Sequence, residues 1–127
     1  MDVPSGDFAH AMVQNEVGHA EAHLRSGRAF LIETVGQIWH ELTTTGAITL
    51  EQRATLRLAT THGIRLAVQV VDMVYNMSGA TAAYESSPIQ RQFQDVHVIS
   101  QHLQARMAHY ELVGRHWLGL KVDETRL

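Results

Sequence analysis

Between Leu56 and Met77 the chain reads LRLATTHGIRLAVQVVDMVYNM, in which Leu56, Ala59, Gly63, Leu66, Val70, Met73 and Met77 recur every three or four residues. Ile64, Ala67, Val68, Val71 and Val74 fill the remaining faces of the second half. A helix that is apolar on nearly every side must sit among neighbours, because a solvated helix keeps a polar face. The rest of the chain is therefore expected to wrap around this segment.

Two further stretches carry the same period. Val13, Val17, Ala20, Leu24, Leu31, Val35, Ile38 and Leu42 mark a helix over about residues 9–44, with this seam as its buried face. It ends at Thr43-Thr44-Thr45-Gly46, where glycine suits the left-handed position after a helix. Ile89, Phe93, Val96, Ser100, Leu103, Met107, Tyr110, Gly114 and Trp117 mark a third segment, over 88 to about 118, with room for a bend near 102–105. Two capping boxes, Thr49-Leu50-Glu51-Gln52 and Ser87-Pro88-Ile89-Gln90, start the second and third helices. Pro88 takes the first helical position, where no amide proton is needed. Gly18, Gly27 and Gly36 lie inside the first helix, as points of close approach or as tolerated glycines.

No strand pattern, repeat or low-complexity tract competes with these helices, and two prolines with 6% aromatic residues suit helix over sheet. The expected fold is all-α: one domain over 1–127, an up-and-down bundle of three long helices with residues 1–8 as a flexible lead. Three is an awkward number, since the apolar second helix wants more cover than two neighbours give. Self-association, as a homo-oligomer (dimer or tetramer), or a partner chain would supply it.

Composition narrows function. Net charge is −3 with the basic residues scattered, so nucleic acid is not an expected partner. No cysteine means no disulfide framework and no thiol chemistry. The opening MDVPSGDF lacks the order of a signal peptide, and Gln69 and Asp72 interrupt the longest apolar run. The expectation is a cytoplasmic protein without a membrane partner.

Glu16, His19 and His23 share a helical face, but di-iron bundles need two Glu-x-x-His copies and further Glu residues, so no metal site is expected. Thr60, Thr61 and His62 read as structural. On the third segment Arg91 and Asp95 are four residues apart and can pair. His102 follows seven residues after Asp95, and Arg106 and His109 extend the line, opposite the apolar seam on a continuous helix.

RLATTHGIRLAVQVVDMVYNMSGATAAYESSPIQRQFQDVHVISQH resembles the C-terminal helical domain of the acyl-CoA dehydrogenase superfamily. That family ends a helix at a Gly-containing loop, here Met77-Ser78-Gly79-Ala80, and begins the next with Pro-Leu-x-Arg-x-x-Arg-Asp, here Pro88 to Asp95. The stretch from Gln14 through HLRSGRAFLIETVGQIW is similar to the preceding helix, so the resemblance spans about residues 12–119. Many acyl-CoA dehydrogenases carry a catalytic Glu just after the Arg-Asp helix, but no carboxylate lies between Asp95 and Glu111. Ser100-Gln101-His102 is instead similar to the flavin-dependent monooxygenase branch, the two-component hydroxylases, where a His faces the flavin.

The resemblance implies an FAD or FMN cofactor in the complete enzyme, with His102 as catalytic residue and Ser78, Gly79, Arg91 and Asp95 as cofactor contacts. It implies oxygenation of an organic substrate by the whole enzyme and inactivity of the isolated chain. It also implies partner domains: the family's N-terminal flavin domains and the first helix of its four-helix C-terminal domain have no counterpart in these residues. Gln94 replaces the family's second Arg and Ser78 the first Gly of its pair. An acyl-CoA dehydrogenase fragment and a purely structural oligomerisation module without flavin are the competing readings.

Overall fold

A computed structural model describes the backbone of residues 5–79 and 87–127, with side chains from residue 10 onward. The described residues are helical without strands, and the order is α1 (Ser5–Thr45), α2 (Leu50–Ser78), α3 (Pro88–Ile99), a 3-10 turn (Leu103–Ala105), α4 (Ala108–Trp117) and a second 3-10 turn (Glu124–Arg126). The all-α bundle is as expected. α1 begins at Ser5, inside the stretch read as a flexible lead, and residues 1–4 of that lead fall outside the described residues.

The corner between α1 and α2 forms as its sequence directs. Gly46 takes φ +77°, and its amide closes on the Leu42 carbonyl at 2.9 Å. The Thr49 hydroxyl accepts from the Gln52 amide at 3.1 Å while the Gln52 side chain accepts from the Thr49 amide at 2.8 Å, completing the capping box. Gln52 also donates to Glu41 at 2.5 Å, tying the end of α1 to the start of α2.

The box at Ser87 does not form. The Gln90 amide donates to the Ser87 backbone carbonyl at 3.2 Å, and the Ser87 side chain makes no capping bond. The donor that the hydroxyl would have satisfied is already taken.

α2 packs against α1, α3, the Leu103–Ala105 turn and α4. The third segment runs antiparallel to it in a single register. Phe93 stacks on Tyr75, His97 bonds Asp72, the Ala105 carbonyl meets Arg65, His109 meets Thr61, and His116 meets Glu51. Ala54, Leu112, Val113 and Leu127 form a buried cluster flanked by Leu50, Leu58 and Val122, so the tightest packing lies where α4 and the C-terminal turn cross the start of α2. Arg53 fastens that turn by donating to the carbonyls of Glu124 and Leu127, both at 2.9 Å.

The buried face of α1 is rotated from its apolar seam: the two share Ala20, and Leu31 and Ile38 of the seam are half-buried. Ala20, Gly27 and Thr34, seven residues apart, are the buried positions. Val13, Val17, Leu24, Val35 and Leu42 are exposed. Small residues let the two backbones approach closely: a Cβ on Gly27 would lie 3.0 Å from Leu66 Cδ1, whereas one on Gly18 or Gly36 would meet nothing. The larger side chains of α1 thus border an open apolar cleft of about 460 Å³, with Leu31, Ile64 and Ala67 among its lining residues.

Candidate functional site

The third segment is not one bent helix. α3 stops at Ile99, and α4 starts at Ala108. Residues 103–107 read LQARM, good helix formers without glycine or proline, so nothing local requires the interruption. Facing the break on α2, Arg57, Thr61 and Arg65 stand four residues apart on one face.

The Thr61 hydroxyl, fully buried, donates to the Gln104 carbonyl at 2.7 Å. Arg65 donates through Nε to the Ala105 carbonyl at 2.8 Å, and its Nη2 reaches the same oxygen. Arg57 donates to the Gln104 side chain at 2.6 Å. In a continuous helix the carbonyls of Gln104 and Ala105 would accept from the amides of Ala108 and His109. Here α2 occupies them, and the His109 amide turns to Arg106 at 3.0 Å.

The interruption sets the position of His102. The residue is exposed at the head of the 3-10 turn, and its Nδ1 accepts the Gln104 amide at 3.2 Å. Neutral imidazole accepts at one nitrogen and donates at the other, so this bond leaves the proton on Nε2. Nε2 has no protein partner among the described residues.

The polar line from Asp95 to His109 needs correction. With α3 ended at Ile99, the seven-residue step from Asp95 to His102 is no longer a step along a helix. His109 is buried, not wet, and it lies 2.8 Å from Thr61. Leu103 and Met107, expected in the buried seam, are exposed. Arg91 and Asp95 remain on α3, both exposed, with Nε 3.8 Å from Oδ2. Ser78 closes α2, its hydroxyl donating to the Val74 carbonyl at 2.8 Å, and Gly79 follows at φ +59°. The structure therefore gives these five residues different addresses: the helix break for His102, the end of α2 for Ser78 and Gly79, and the body of α3 for Arg91 and Asp95. Ala80, the last residue of the quoted loop, lies outside the described residues.

Several interactions had no foreshadowing in the sequence reading. His97 Nε2 lies 2.7 Å from Asp72, and Phe93 stacks on Tyr75, at 4.2 Å between centroids, with the His97 ring tilted against it at 4.5 Å. His62 Nδ1 meets the Tyr110 hydroxyl at 2.9 Å. Burial first, then the charge of Arg57, hold the His109 pKa below its ordinary value; a backbone bond at Gln104 opposes them, and Arg106 and Arg126 add smaller lowering. Burial likewise pushes Tyr110 up. The polar spacing Arg57-Thr61-Arg65, on a helix otherwise rich in apolar residues, was the available sign of this network. Glu16, His19 and His23 belong to α1 alone; His23 lies at the apolar cleft and His19 is exposed.

Comparison with known proteins gives a consistent picture. The family model described as acyl-CoA dehydrogenase, C-terminal domain, matches residues 8–107. The chain is 32% identical to an indole-3-acetate monooxygenase of Pseudomonas putida over 108 residues, covering 85% of this chain and 28% of that protein. It is 29% identical to an indole-3-acetate monooxygenase of Acinetobacter baumannii over 110 residues, again 28% of the relative's length. In fold it is similar to the crystal structure of 3-HSA hydroxylase from Rhodococcus sp. RHA1, with TM-score 0.86, 21% identity and coverage of 92% of this chain and 31% of that one. The HsaA monooxygenase from M. tuberculosis gives TM-score 0.81 at 25% identity, covering 87% and 30%. The chain thus spans under a third of the length of each of these proteins. With a helix register, a Pro-initiated α3 and a family match over residues 8–107 in agreement, the chain belongs to the acyl-CoA dehydrogenase C-terminal domain family.

Proposed function

We propose that this domain is the flavin-facing and assembly end of a flavin-dependent monooxygenase. The observation that carries the reading is the match to two monooxygenases over more than four-fifths of the chain, combined with an exposed His102 where the family's carboxylate is missing. The alternative of an acyl-CoA dehydrogenase fragment lacks a base at that place.

The side chains fit a flavin by donor type. A guanidinium such as Arg91 suits the cofactor's phosphate, and an imidazole Nε2–H such as that of His102 suits a carbonyl or a phenolate oxygen. Ser78 and Gly79 would let backbone approach the cofactor at the end of α2, and Asp95 would hold Arg91 or a neighbouring subunit in register. Bound flavin, FAD or FMN, would supply the oxygen-transfer chemistry, and the protein would bind and orient it. His102 would hold a proton at Nε2 and donate it to, or take it back from, an oxygen at the reacting centre. These donors occupy an open surface, so the domain forms one wall of a site whose remainder belongs to the other domains. The isolated chain would be inactive.

The exposed apolar side chains of α1 support an assembly role. Val17, Leu24, Val35 and Trp39 are between 47% and 68% exposed, and Ile32 beside them is 56% exposed. Apolar surface on this scale marks a contact with more protein, read here as a homo-oligomer and the family's flavin domains. Among the described residues no helix is long and apolar enough to cross a membrane. The same surface favours a second reading, a structural module that has lost flavin.

A flavin titration followed by fluorescence quenching separates the two. Saturable quenching at micromolar FAD or FMN, weakened by Arg91→Ala, is the expected result. Quenching that does not saturate, or that is indifferent to Arg91, overturns the flavin wall and leaves the structural module.

A further inference from the structure

We propose that Thr61 and Arg65 on α2, assisted by Arg57, are positioning residues for His102: their bonds to the carbonyls of Gln104 and Ala105 hold the helix open at the point where His102 is presented. The proposal rests on the reading of His102 as a working group.

Nothing in the local sequence breaks the helix at this point. LQARM would continue a helix, and a continuous helix would satisfy its own carbonyls. The carbonyls of Gln104 and Ala105 are instead committed to side chains from another element, at 2.7 Å from Thr61 and 2.8 Å from Arg65 Nε. Bonds from a guanidinium are charge-assisted, and a forked donor holds a single carbonyl in orientation as well as in place. Thr61 is fully buried, so its hydroxyl has no water to turn to and its bond is expensive to lose.

The consequence reaches His102 in two steps. The turn held by α2 lets the Ala105 amide close on the His102 carbonyl at 2.9 Å, and it presents the Gln104 amide to His102 Nδ1 at 3.2 Å. In an α-helix the Gln104 amide would point back to the Ser100 carbonyl, out of reach of the His102 ring. The amide that fixes the ring and its tautomer is therefore available only while the helix is open. Thr61 and Arg65 touch neither ring nitrogen of His102; they act through the turn.

The test uses hydrogen exchange on the chain as it stands. In Thr61→Val and Arg65→Met the helix is free to close, so the Gln104 and Ala105 amides should pass to the Ser100 and Gln101 carbonyls and exchange about tenfold slower or more, while amides at the Ala54–Val113 crossing keep their wild-type protection. Thr61→Ser and Arg65→Lys retain a donor and should restore most of the wild-type exchange, and a general loss of fold would speed exchange instead of slowing it. Wild-type exchange at 104 and 105 in both Val and Met variants overturns the proposal.

In the intact enzyme the same two variants should lower kcat about tenfold with flavin affinity unchanged, as expected when a group is misplaced without losing binding. Full turnover in Thr61→Val and Arg65→Met beside an impaired His102→Ala also overturns it. Full turnover in His102→Ala as well is a failure of the underlying reading alone, and the exchange measurement then decides the clamp by itself.

Discussion

His109 Nδ1 lies 2.8 Å from the hydroxyl of Thr61, and both side chains are buried between α2 and α4. Thr61 has one hydroxyl proton and gives it to the Gln104 carbonyl, so His109 is left to donate from Nδ1. One contact thereby joins the helix break, the start of α4 and the polar face of α2. It also makes His109 a titratable group inside the fold.

Stability should fall on mild acidification. Burial, then Arg57, Arg106 and Arg126, depress the folded-state pKa of His109 below 6.5, so the unfolded chain binds the proton more readily. The contribution is fully present above about pH 6.5 and is lost as pH falls from there towards the folded-state value. Thermal unfolding followed at about pH 7.5 and about pH 5.5 should show a lower Tm at the acid end, and His109→Gln should shrink the difference. An unchanged pH response in that variant would remove His109 as its source.

The glycines of α1 should separate by environment. A Cβ at Gly36 meets nothing, so Gly36→Ala should stabilise by about 1 kcal/mol through helix propensity. At Gly27 the same gain is opposed by contact with Leu66 Cδ1 at 3.0 Å, so Gly27→Ala should stabilise less or destabilise. Urea midpoints at equal slope read both changes, and equal gains would show that α1 and α2 are not closely apposed at this point.

Leu112 is 7% exposed in the cluster with Ala54, Val113 and Leu127. Leu112→Ala should cost about 2–5 kcal/mol, the range for a buried leucine that leaves a cavity. Leu103→Ala, at an exposed position once read as core, should cost under about 1 kcal/mol. Reversal of that order in urea unfolding would restore the straight-helix seam.

Light scattering on the purified chain should return a multiple of the monomer mass, because the apolar side of α1 needs cover. Val17→Lys or Leu24→Lys should shift the population towards monomer. A wild-type monomer at high concentration would assign that surface to a different occupant.

His102→Ala in the intact enzyme should lower oxygenation at least about tenfold, or ~1.4 kcal/mol of barrier, with flavin affinity little changed. Wild-type turnover would take His102 out of the site.

Much of this protein was legible before its structure. The period of Leu56 to Met77 made α2 central, Thr49 and Gly46 placed the first corner, and Pro88 to Asp95 carried the family resemblance, because each rests on contacts within a few residues. Two of the expectations that went astray did so for different reasons, one through distant residues and one within a single turn. The seam of α1 gave its apolar face but not the face that meets α2, since close packing there is won by the small residues Ala20, Gly27 and Thr34. Ser87 had the spacing of a cap, but its own carbonyl took the amide.

By itself the sequence determined an all-helical chain, its central helix and the residues offered at the candidate site. Only the tertiary structure decided that the third helix breaks and that His102 stands at the break. Periodicity is blind to this, because LQARM is helical by every local measure. Carbonyls prefer the strongest donors within reach, and those came from Thr61 and Arg65, some forty residues earlier in the chain and adjacent only once the bundle has folded.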